Sequence, residues 1–240
     1  MDFVLLLDAA RWFATHDAAG LTPRQVPIEG LHGKWLNRNH ALLRCLAGKD
    51  DLGLISRPTR VHFTYLDPTY LVSGRRKHES ITLGDSASPA YTPDTIVILE
   101  NKDTAVYFPP VPGGIAVEGE GGKAPGTLTH IPWMRHCPRI IYWGDIDAAG
   151  FVIVNNLRAS GIPAETILMD QSTYEAYERF GAWTDEKAKP IPCSPRRTLP
   201  HLAPTELAIY HDLTDPGWKR VRRIEQERIP LTEAAGLVIR

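Results

Sequence analysis

Hydrophobic and polar residues form two kinds of pattern along this chain: continuous apolar runs and periodic alternation. Thr95–Leu99 and Ile140–Trp143 are short, nearly continuous apolar runs rich in β-branched or aromatic residues. Such runs are typical of strands that are buried on both faces of a parallel sheet. Arg60–Leu66 instead alternates between apolar and polar residues, which predicts a half-buried strand. Ala148–Arg158 has its apolar residues at helical spacing, so the second apolar run leads directly into a helix.

The same patterns predict further elements on both sides of these strands. Additional strands are predicted at Glu79–Leu83, Gly114–Val117 and Glu165–Asp170. Helices are predicted at Asp2–His16, in a segment ending near Leu46, in a short segment ending at Tyr107, and at Thr127–Arg135, Ser172–Phe180, Pro204–Leu213, Trp218–Arg228 and Leu231–Val238.

Strands and helices alternate from Thr95 onward, which implies right-handed parallel crossovers. We therefore expect an α/β fold with a mainly parallel central sheet flanked by helices. Gly84–Pro93 is rich in Ser, Ala and Pro and indicates a loop. The boundary is placed there: residues 1–93 form a smaller α+β leader region, and residues 94–240 form the main domain.

Composition narrows the possible functions only slightly. The 240 residues include 27 basic and 28 acidic residues, for a formal net charge of −1. A freestanding nucleic-acid binder is usually more basic, so DNA binding would need a local basic surface or a partner. The three cysteines include no Cys-x-x-Cys pair, which argues against a zinc ribbon and for a reducing compartment. No apolar run approaches the ~20 residues that cross a bilayer, so we expect a cytoplasmic protein without membrane contact.

Carboxylates follow the predicted strands of the main domain. Glu100 ends the first apolar run, Asp145 and Asp147 follow the second, and Asp170 ends a later strand. The carboxyl ends of parallel strands share one edge, where ligands bind in open α/β sheets. Oxygen ligands of this kind suit Mg²⁺ or Mn²⁺. In the alternative interpretation, Asp147 only caps the following helix and Asp145 sits in solvent.

Carboxylates at so many strand ends favour an acidic metal site over a set of helix caps. The chemistry that such a site supports is phosphoryl transfer, because a cation neutralises the phosphate and activates water. Two basic features could contact DNA phosphates: the turn containing Arg75, Arg76 and Lys77, and Lys34 further upstream. Solvated hairpin tips and packing loops have the same composition, so a structural role is the alternative for both.

The acidic pattern resembles a known domain. A glutamate ending one strand and Asp-x-Asp ending another is similar to the Toprim domain of topoisomerases, primases and nucleases, and Asp145–Gly150 resembles the topoisomerase VI A-subunit and Spo11 branch. Several stretches more closely resemble the Wadjet nuclease subunit family (JetD, also called MksG). These stretches run in family order across nearly the whole chain: Gly30–Leu36, Glu100–Thr104, Tyr142–Asp147, Leu168–Asp170 and Arg223–Ile229.

The resemblance implies an Mg²⁺- or Mn²⁺-dependent DNA endonuclease that works with SMC-like motor subunits against circular plasmids, and it implies a homodimer. Glu100 would be the Toprim glutamate, acting as metal ligand or general base. Asp145 and Asp147 would be paired metal ligands. Asp170, Glu225 and Glu227 match family stretches and are further candidate ligands. Glu227 also lies four residues after Arg223, the spacing of an ordinary ion pair on a helix surface.

The chain departs from the family pattern in one respect, and three competing hypotheses stay open. The resemblance implies an N-terminal region that forms a DNA-binding arm in family members, so we expect the chain to be either a piece of a longer protein or a short natural version. The topoisomerase VI and Spo11 branch needs a nucleophilic tyrosine on a winged helix. Tyr65, Tyr70 and Tyr91 precede the main domain, but the sequence around them does not predict one, which favours hydrolysis by water. A non-catalytic Toprim-like binding module and a metal-dependent enzyme acting on nucleotides are the second and third hypotheses.

Overall fold

A computed structural model describes residues 3–56, 58–86, 88–119, 121–185 and 187–239, without the side chain of Lys123. The chain divides into two compact units, Met1–Pro58 and Thr59–Arg240. Each unit has a hydrophobic core of its own.

The first unit is built on two helices, α1 (Phe3–Thr15) and α2 (Gly33–Ala47). Leu6 and Phe13 of α1 are buried with Leu36 and Leu43 of α2 in one apolar cluster. α2 ends at Gly48, whose φ of 66° is the left-handed conformation that favours glycine at a helix end. Both helices match the elements expected from the hydrophobic pattern.

The second unit is organised around a six-stranded sheet. The strands of the unit are β1 (Arg60–Tyr65), β2 (His78–Thr82), β3 (Thr95–Leu99), β4 (Gly114–Glu118), β5 (Arg139–Trp143), β6 (Ile146–Asp147), β7 (Glu165–Thr166) and β8 (Arg223–Ile224). The sheet order is β2-β1-β4-β3-β5-β7, and β6 pairs separately with β8. β4, β3, β5 and β7 run parallel to one another, whereas β1 pairs antiparallel with β4 on one side and with β2 on the other. The expected α/β class is confirmed.

Helices connect the strands and complete the unit. They are α3 (Pro68–Val72), α4 (Lys102–Tyr107), α5 (Ala124–Leu128), α6 (Pro132–Arg135), α7 (Ala148–Ala159), α8 (Gln171–Tyr177), α9 (Pro204–Leu213) and α10 (Leu231–Val238). Short 3₁₀ turns lie at Gly121–Lys123, Glu178–Phe180 and Gln226–Arg228. Within the described ranges, no helix is long and apolar enough to cross a membrane.

The centre of the sheet accounts for the two continuous apolar runs of the sequence. Every residue of β3 is buried, and β5 is buried from Ile140 to Trp143. The two strands pair in parallel with Leu99 opposite Trp143, so both end at the same level. This register places the residues after Leu99 beside the residues after Trp143.

The division between the units differs from the boundary drawn near Pro93 from the sequence. β1 pairs with β4 through Phe63, Thr64 and Tyr65, so Arg60–Thr82 belongs to the same sheet as β3 and β5. The loop around residues 84–93 connects two strands of one sheet. Its composition is that of a linker, but the pairing of the strands on either side decides which unit they join.

Three predicted elements differ from the structure. The strand expected at Glu165–Asp170 is paired only at Glu165–Thr166, because Leu168 adopts a positive φ of 54° that takes the backbone out of the extended conformation. The helix expected at Thr127–Arg135 is two short helices that separate before Pro132. The prediction of a helix at Trp218–Arg228 is wrong. Arg223–Ile224 pairs with Ile146–Asp147 as a strand, and the 3₁₀ turn follows.

Candidate active site

Glu100 stands directly after β3, at the end of the most buried strand of the sheet. Its backbone N–H donates to the carbonyl of Trp143 at 3.2 Å, which continues the β3–β5 ladder by one residue. Its carboxylate Oε2 accepts from the Tyr142 hydroxyl at 3.1 Å and from the Asp145 backbone N–H at 3.3 Å. The carboxylate is therefore turned toward the end of β5.

Gly144 leaves the space that this carboxylate occupies. A Cβ atom at residue 144 would lie 2.5 Å from Oε2 of Glu100 and 2.5 Å from the hydroxyl of Tyr142. Real Cβ atoms essentially never approach other atoms so closely. Any side chain here would displace Glu100, so the glycine that ends β5 is needed for close approach.

Asp145 and Asp147 follow on the same turn but meet different donors. Asp145 Oδ1 accepts from the backbone N–H of Gln226 at 2.8 Å. Asp147 is 6% exposed, and its Oδ1 accepts from the Gly150 N–H at 2.8 Å, which caps α7. Its Oδ2 accepts from Nε of Arg223 at 2.8 Å. Asp147 is thus a helix cap and an ion-pair partner together, and Asp145 is bonded rather than free in solvent.

The charges of the three carboxylates act on one another. Burial, followed by the charge of Asp147, raises the pKa of Glu100 more than its hydrogen bonds and Arg223 lower it. The pKa of Asp145 is raised to about 7, mainly by burial and further by the charges of Glu100, Asp147 and Glu227, against the lowering effect of its bond from Gln226. Like charges in a shared, partly desolvated site produce this effect. The three carboxylates therefore form one electrostatic cluster.

Gln226 ties the two strand ends together. Its side chain is 0% exposed, and the amide Nε2 donates to the carbonyl of Trp143 at 2.8 Å. Its Oε1 accepts from the Asn101 backbone N–H at 3.1 Å. Sequence reasoning missed this residue, because its role depends on partners more than eighty positions away. A lone glutamine among charged neighbours gives no local signal of burial.

Arg223 supplies the positive charge nearest to the cluster. The β6–β8 pairing sets Arg223 opposite Asp147, which explains their contact. Burial lowers the pKa of Arg223, but the charge of Asp147 and the bond to it outweigh that effect and raise the pKa overall. The prediction that Arg223 and Glu227 form a surface ion pair on a helix is therefore wrong. Glu227 contacts the Asn101 side chain instead, and the half-exposed Glu225 pairs with Arg228 at 3.4 Å.

Asp170 is bonded as a structural residue. Its carboxylate accepts from the Thr173 N–H at 2.8 Å and from the Ser172 hydroxyl at 2.7 Å, so it caps α8. Burial raises its pKa, but these hydrogen bonds outweigh burial and lower it overall. These donors belong to the first turn of α8, unlike the donors to Glu100 and Asp145.

The two basic features proposed for DNA contact lie in the β1–β2 turn and at the start of α2. In the turn, Arg76 pairs with Glu79 at 2.7 Å and Arg75 lies over the ring of Tyr70 at 5.8 Å. Lys77 is exposed beside them. Lys34 is exposed in the first turn of α2, in the other compact unit. Their contact with DNA stays a prediction.

The carboxylate cluster suits a metal in its chemistry, although its side chains are engaged by protein donors. As they stand, no group of three or more His, Cys, Asp or Glu residues among the described residues could hold a metal ion. Both oxygens of Asp147 and one of Asp145 already accept hydrogen bonds. Yet the atoms that would bind a metal are carboxylate oxygens, and a hard divalent cation would relieve the repulsion between them. Arg223 provides the positive charge beside Asp147 that a cation would otherwise supply.

Fold and site together define an α/β protein with an acidic cluster at the carboxyl edge of a mainly parallel sheet. The chain belongs to the Wadjet protein JetD family, since the model of the C-terminal region of that family matches residues 53–236. A second model, described as an uncharacterized N-terminal region conserved in bacteria (DUF3322), matches residues 1–48. Comparison with individual curated proteins finds no match.

Proposed function

We propose that this chain is the nuclease subunit of a Wadjet plasmid-defence complex and hydrolyses phosphodiester bonds of circular plasmid DNA with Mg²⁺ or Mn²⁺. The observation that carries the proposal is the cluster of Glu100, Asp145 and Asp147 at adjoining strand ends, with the pKa values of Glu100 and Asp145 raised. Groups with perturbed pKa values at the carboxyl edge of an α/β sheet are candidates for catalysis. Membership of the JetD family supports the defence role.

Each residue of the cluster has a distinct part in this proposal. Asp145 and Asp147 would hold the cation, with Glu100 as a third ligand or as general base. A divalent cation supplies charge neutralisation of the phosphate and activation of water. The raised pKa of Glu100 brings this carboxylate closer to the range in which a side chain accepts a proton efficiently near neutral pH. Gln226 and Gly144 fix the two strand ends on which the ligands stand.

Arg223 determines when Asp147 becomes available. While Oδ2 of Asp147 accepts from Arg223, the positive charge of the guanidinium opposes the approach of a cation to this oxygen. A cation held by Asp145 and Asp147 would compete with Arg223 for Asp147, and Arg223 would then be free to bind a DNA phosphate. Arginine suits such an exchange because its planar guanidinium matches carboxylate and phosphate equally well.

The tyrosines weigh against a covalent, topoisomerase-like mechanism. Tyr65, Tyr70 and Tyr91 pack against one another, with ring centroids 4.6–5.4 Å apart. Their hydroxyls donate to Glu79, to the Arg76 carbonyl and to the Gly114 carbonyl. Burial raises the pKa of Tyr91 to about 12 and raises the pKa of Tyr65. All three hydroxyls are hydrogen-bonded, and those of Tyr65 and Tyr91 are also desolvated, which favours water as the nucleophile.

Assembly follows from the same proposal. In a Wadjet complex, SMC-like motor subunits would bring plasmid DNA to this chain, and the full-length protein would act as a homodimer. The chain has a formal net charge of −1. We therefore expect weak binding to double-stranded DNA by the chain alone, with strong dependence on salt because phosphate contacts release counterions.

Supercoiled plasmid incubated with the purified chain tests the proposal. Nicked or linear product should form with Mn²⁺ or Mg²⁺ and be absent with EDTA. Asp145→Asn should abolish the product, whereas the matched variant Asp170→Asn should retain it, because Asp170 only caps α8. Product that persists in EDTA or in Asp145→Asn would overturn the assignment. If wild type also gives no product with its partner subunits present, the non-catalytic binding module would be the better account.

A further inference from the structure

A groove continues outward from the carboxylate cluster. Asp147 and Arg223 line a small cavity of about 60 Å³ together with Ile191 and Arg222. Ile191 and Arg222 also line a second cavity of about 200 Å³, so the two cavities share a wall. We call the second cavity the tryptophan groove. Its defining residues are Trp183, Ile191, Trp218, Lys219, Arg220 and Arg222.

The exposed wall of the groove is the indole of Trp183, a residue whose backbone is anchored. Trp183 is 63% exposed, an unusual position for a large aromatic side chain. Its carbonyl accepts from the Ile191 N–H at 2.9 Å, and Thr184 pairs with Pro190 to close a small hairpin. The preceding Ala182 N–H donates to the Arg223 carbonyl at 2.9 Å. Trp183 is therefore anchored through its backbone to the strand that carries Arg223.

The groove also carries positive charge that the described residues do not neutralise. Arg222 donates to the carbonyls of Leu213, Asp215 and Trp218, and Lys219 is exposed. Neither cation forms an ion pair with a carboxylate in the described part of the chain. Arg220 differs, because it pairs with Glu178 and lies over the Trp218 ring at 5.2 Å. The described lining of the groove contains no acidic side chain.

An exposed indole beside unpaired cations fits a nucleic-acid strand. Single strands bind to surfaces that combine cations for the phosphates with aromatic side chains on which bases stack. A cavity of about 200 Å³ is smaller than the ~300–1,000 Å³ typical of small-molecule pockets, which favours one base over a whole ligand. Bases inside a duplex do not expose their faces, so only an unpaired base can stack on Trp183.

We propose that the tryptophan groove binds an unpaired stretch of the DNA strand, with one base stacked on Trp183 and the adjoining phosphates near Lys219 and Arg222. The inference rests on the proposed nuclease function, since the shared wall at Arg222 connects the groove to the cavity that Asp147 lines. It names the substrate more narrowly: DNA that is locally opened or distorted at the site of cleavage. Trp183 is a positioning residue in this account.

Equilibrium binding without catalysis tests the groove separately from cleavage. Fluorescence anisotropy of a labelled single-stranded oligonucleotide is measured at low salt in EDTA, with the duplex of the same sequence alongside. Trp183→Ala should weaken single-strand binding about tenfold and change duplex binding less than about twofold. Trp183→Phe should retain most of the affinity, because a phenyl ring still stacks. Lys219→Ala should weaken both and reduce the salt dependence by about one counterion.

Matched variants show whether these effects belong to the groove. Tyr107→Ala removes another exposed aromatic ring, 70% exposed on α4 and outside the groove lining, and Arg60→Ala removes an exposed cation of β1. Both should leave single-strand affinity unchanged. Melting temperatures are compared to show that all variants are folded.

The outcomes separate this inference from the proposed nuclease function. Single-strand binding that is absent in wild type, or weakened equally by Trp183→Ala and Tyr107→Ala, overturns the groove and points to a protein partner as its occupant. Trp183-dependent binding with no metal-dependent nicking, even with the partner subunits present, keeps the groove and overturns the nuclease. Metal-dependent nicking without Trp183-dependent binding keeps the nuclease and overturns the groove.

Discussion

Glu206 and Glu100 are two glutamates of the same unit with opposite electrostatics. Glu206, on α9, is 3% exposed and accepts from Arg158 at 2.6 and 2.9 Å, from the Thr166 hydroxyl and from the Ala203 N–H. Burial raises its pKa, but these donors outweigh burial and lower the pKa overall. Glu100 has one hydroxyl, one long backbone contact and the charge of Asp147 nearby, and its pKa is raised.

The difference teaches how a structural carboxylate can be told from a candidate ligand. Around Glu206 the protein supplies all the donors that an ionised carboxylate needs, so a cation has no further role there. Around Glu100 and Asp145 the donors are fewer and like charges lie nearby, so burial and repulsion destabilise the ionised cluster. Asp170 resembles Glu206, because donors from the protein satisfy its carboxylate, although it follows a predicted strand as Asp145 does. Position at a strand end is therefore weaker evidence than the set of donors.

The largest expected effect comes from Glu206. Glu206→Ala leaves Arg158 as an unpaired charge, so we expect a loss of roughly 3 kcal/mol in the free energy of unfolding, the low end of the cost of breaking a buried pair. Glu100→Gln removes repulsion and should leave the metal-free protein equally or more stable. Urea unfolding in EDTA measures both. The comparison fails if Glu100→Gln is destabilised as much as Glu206→Ala.

The pH dependence of stability sharpens the same contrast. In the unfolded chain Asp145 loses its proton near pH 4, whereas in the folded protein it keeps the proton up to about pH 7. Between these values the folded state binds more protons, so the contribution of Asp145 to stability falls as pH rises. Asp145→Asn should remove a decline on the order of 3 kcal/mol between pH 4 and 7.

Unfolding in EDTA at several pH values checks this. Wild-type stability is compared with that of Asp145→Asn, and the difference between the two proteins is plotted against pH. The difference should change steadily from pH 4 to 7 and become flat about one pH unit above that range. A difference that is constant with pH would show that Asp145 ionises normally in the folded protein.

Arg223 should have a smaller effect on stability and an opposite effect on metal binding. Arg223→Gln removes the partner of Asp147, for an expected loss of about 1–2 kcal/mol in metal-free stability. The same change frees an oxygen of Asp147, so the shift in melting temperature caused by Mn²⁺ should grow. Arg228→Gln, which loses only the exposed pair with Glu225, is the matched control and should change neither quantity. A smaller Mn²⁺ shift in Arg223→Gln would contradict competition for Asp147.

Asp170 provides the smallest expected effect. Asp170→Asn keeps an oxygen that caps α8 and should unfold within a few tenths of a kcal/mol of wild type, whereas Asp170→Ala should lose about 1 kcal/mol. Neither variant should alter the thermal shift caused by Mn²⁺. Thermal unfolding with and without Mn²⁺ measures both quantities. Loss of the Mn²⁺ response in Asp170→Asn would show that Asp170 is a metal ligand after all.

Local signals explain how much of the structure could be predicted. The apolar runs of β3 and β5 predict buried strands directly from the sequence, because burial on both faces requires apolar residues throughout. Their parallel register then brings Glu100 beside Asp145, as expected from the order of strands and helices. The α/β class and the cluster of carboxylates follow from that local information.

The remaining contacts depend on non-local pairing. Val221 and Ile224 are spaced as in a helix, and only pairing with Ile146–Asp147 makes this segment a strand. The placement of Arg223 on Asp147 and of Gln226 under both strand ends follows from that pairing. Leu168 likewise enters a positive φ that leucine rarely adopts, so its sequence predicts a longer strand than the structure contains.

The central claim is that Glu100, Asp145 and Asp147 form a metal site, and titration calorimetry with Mn²⁺ tests it most directly. Wild type should bind Mn²⁺ saturably, Asp145→Asn should lose affinity by at least about tenfold, or ~1.4 kcal/mol, and Asp170→Asn should match wild type. This readout does not depend on DNA, partner subunits or catalysis. Equal binding by wild type and Asp145→Asn, or an absence of saturable binding by wild type, would contradict the claim.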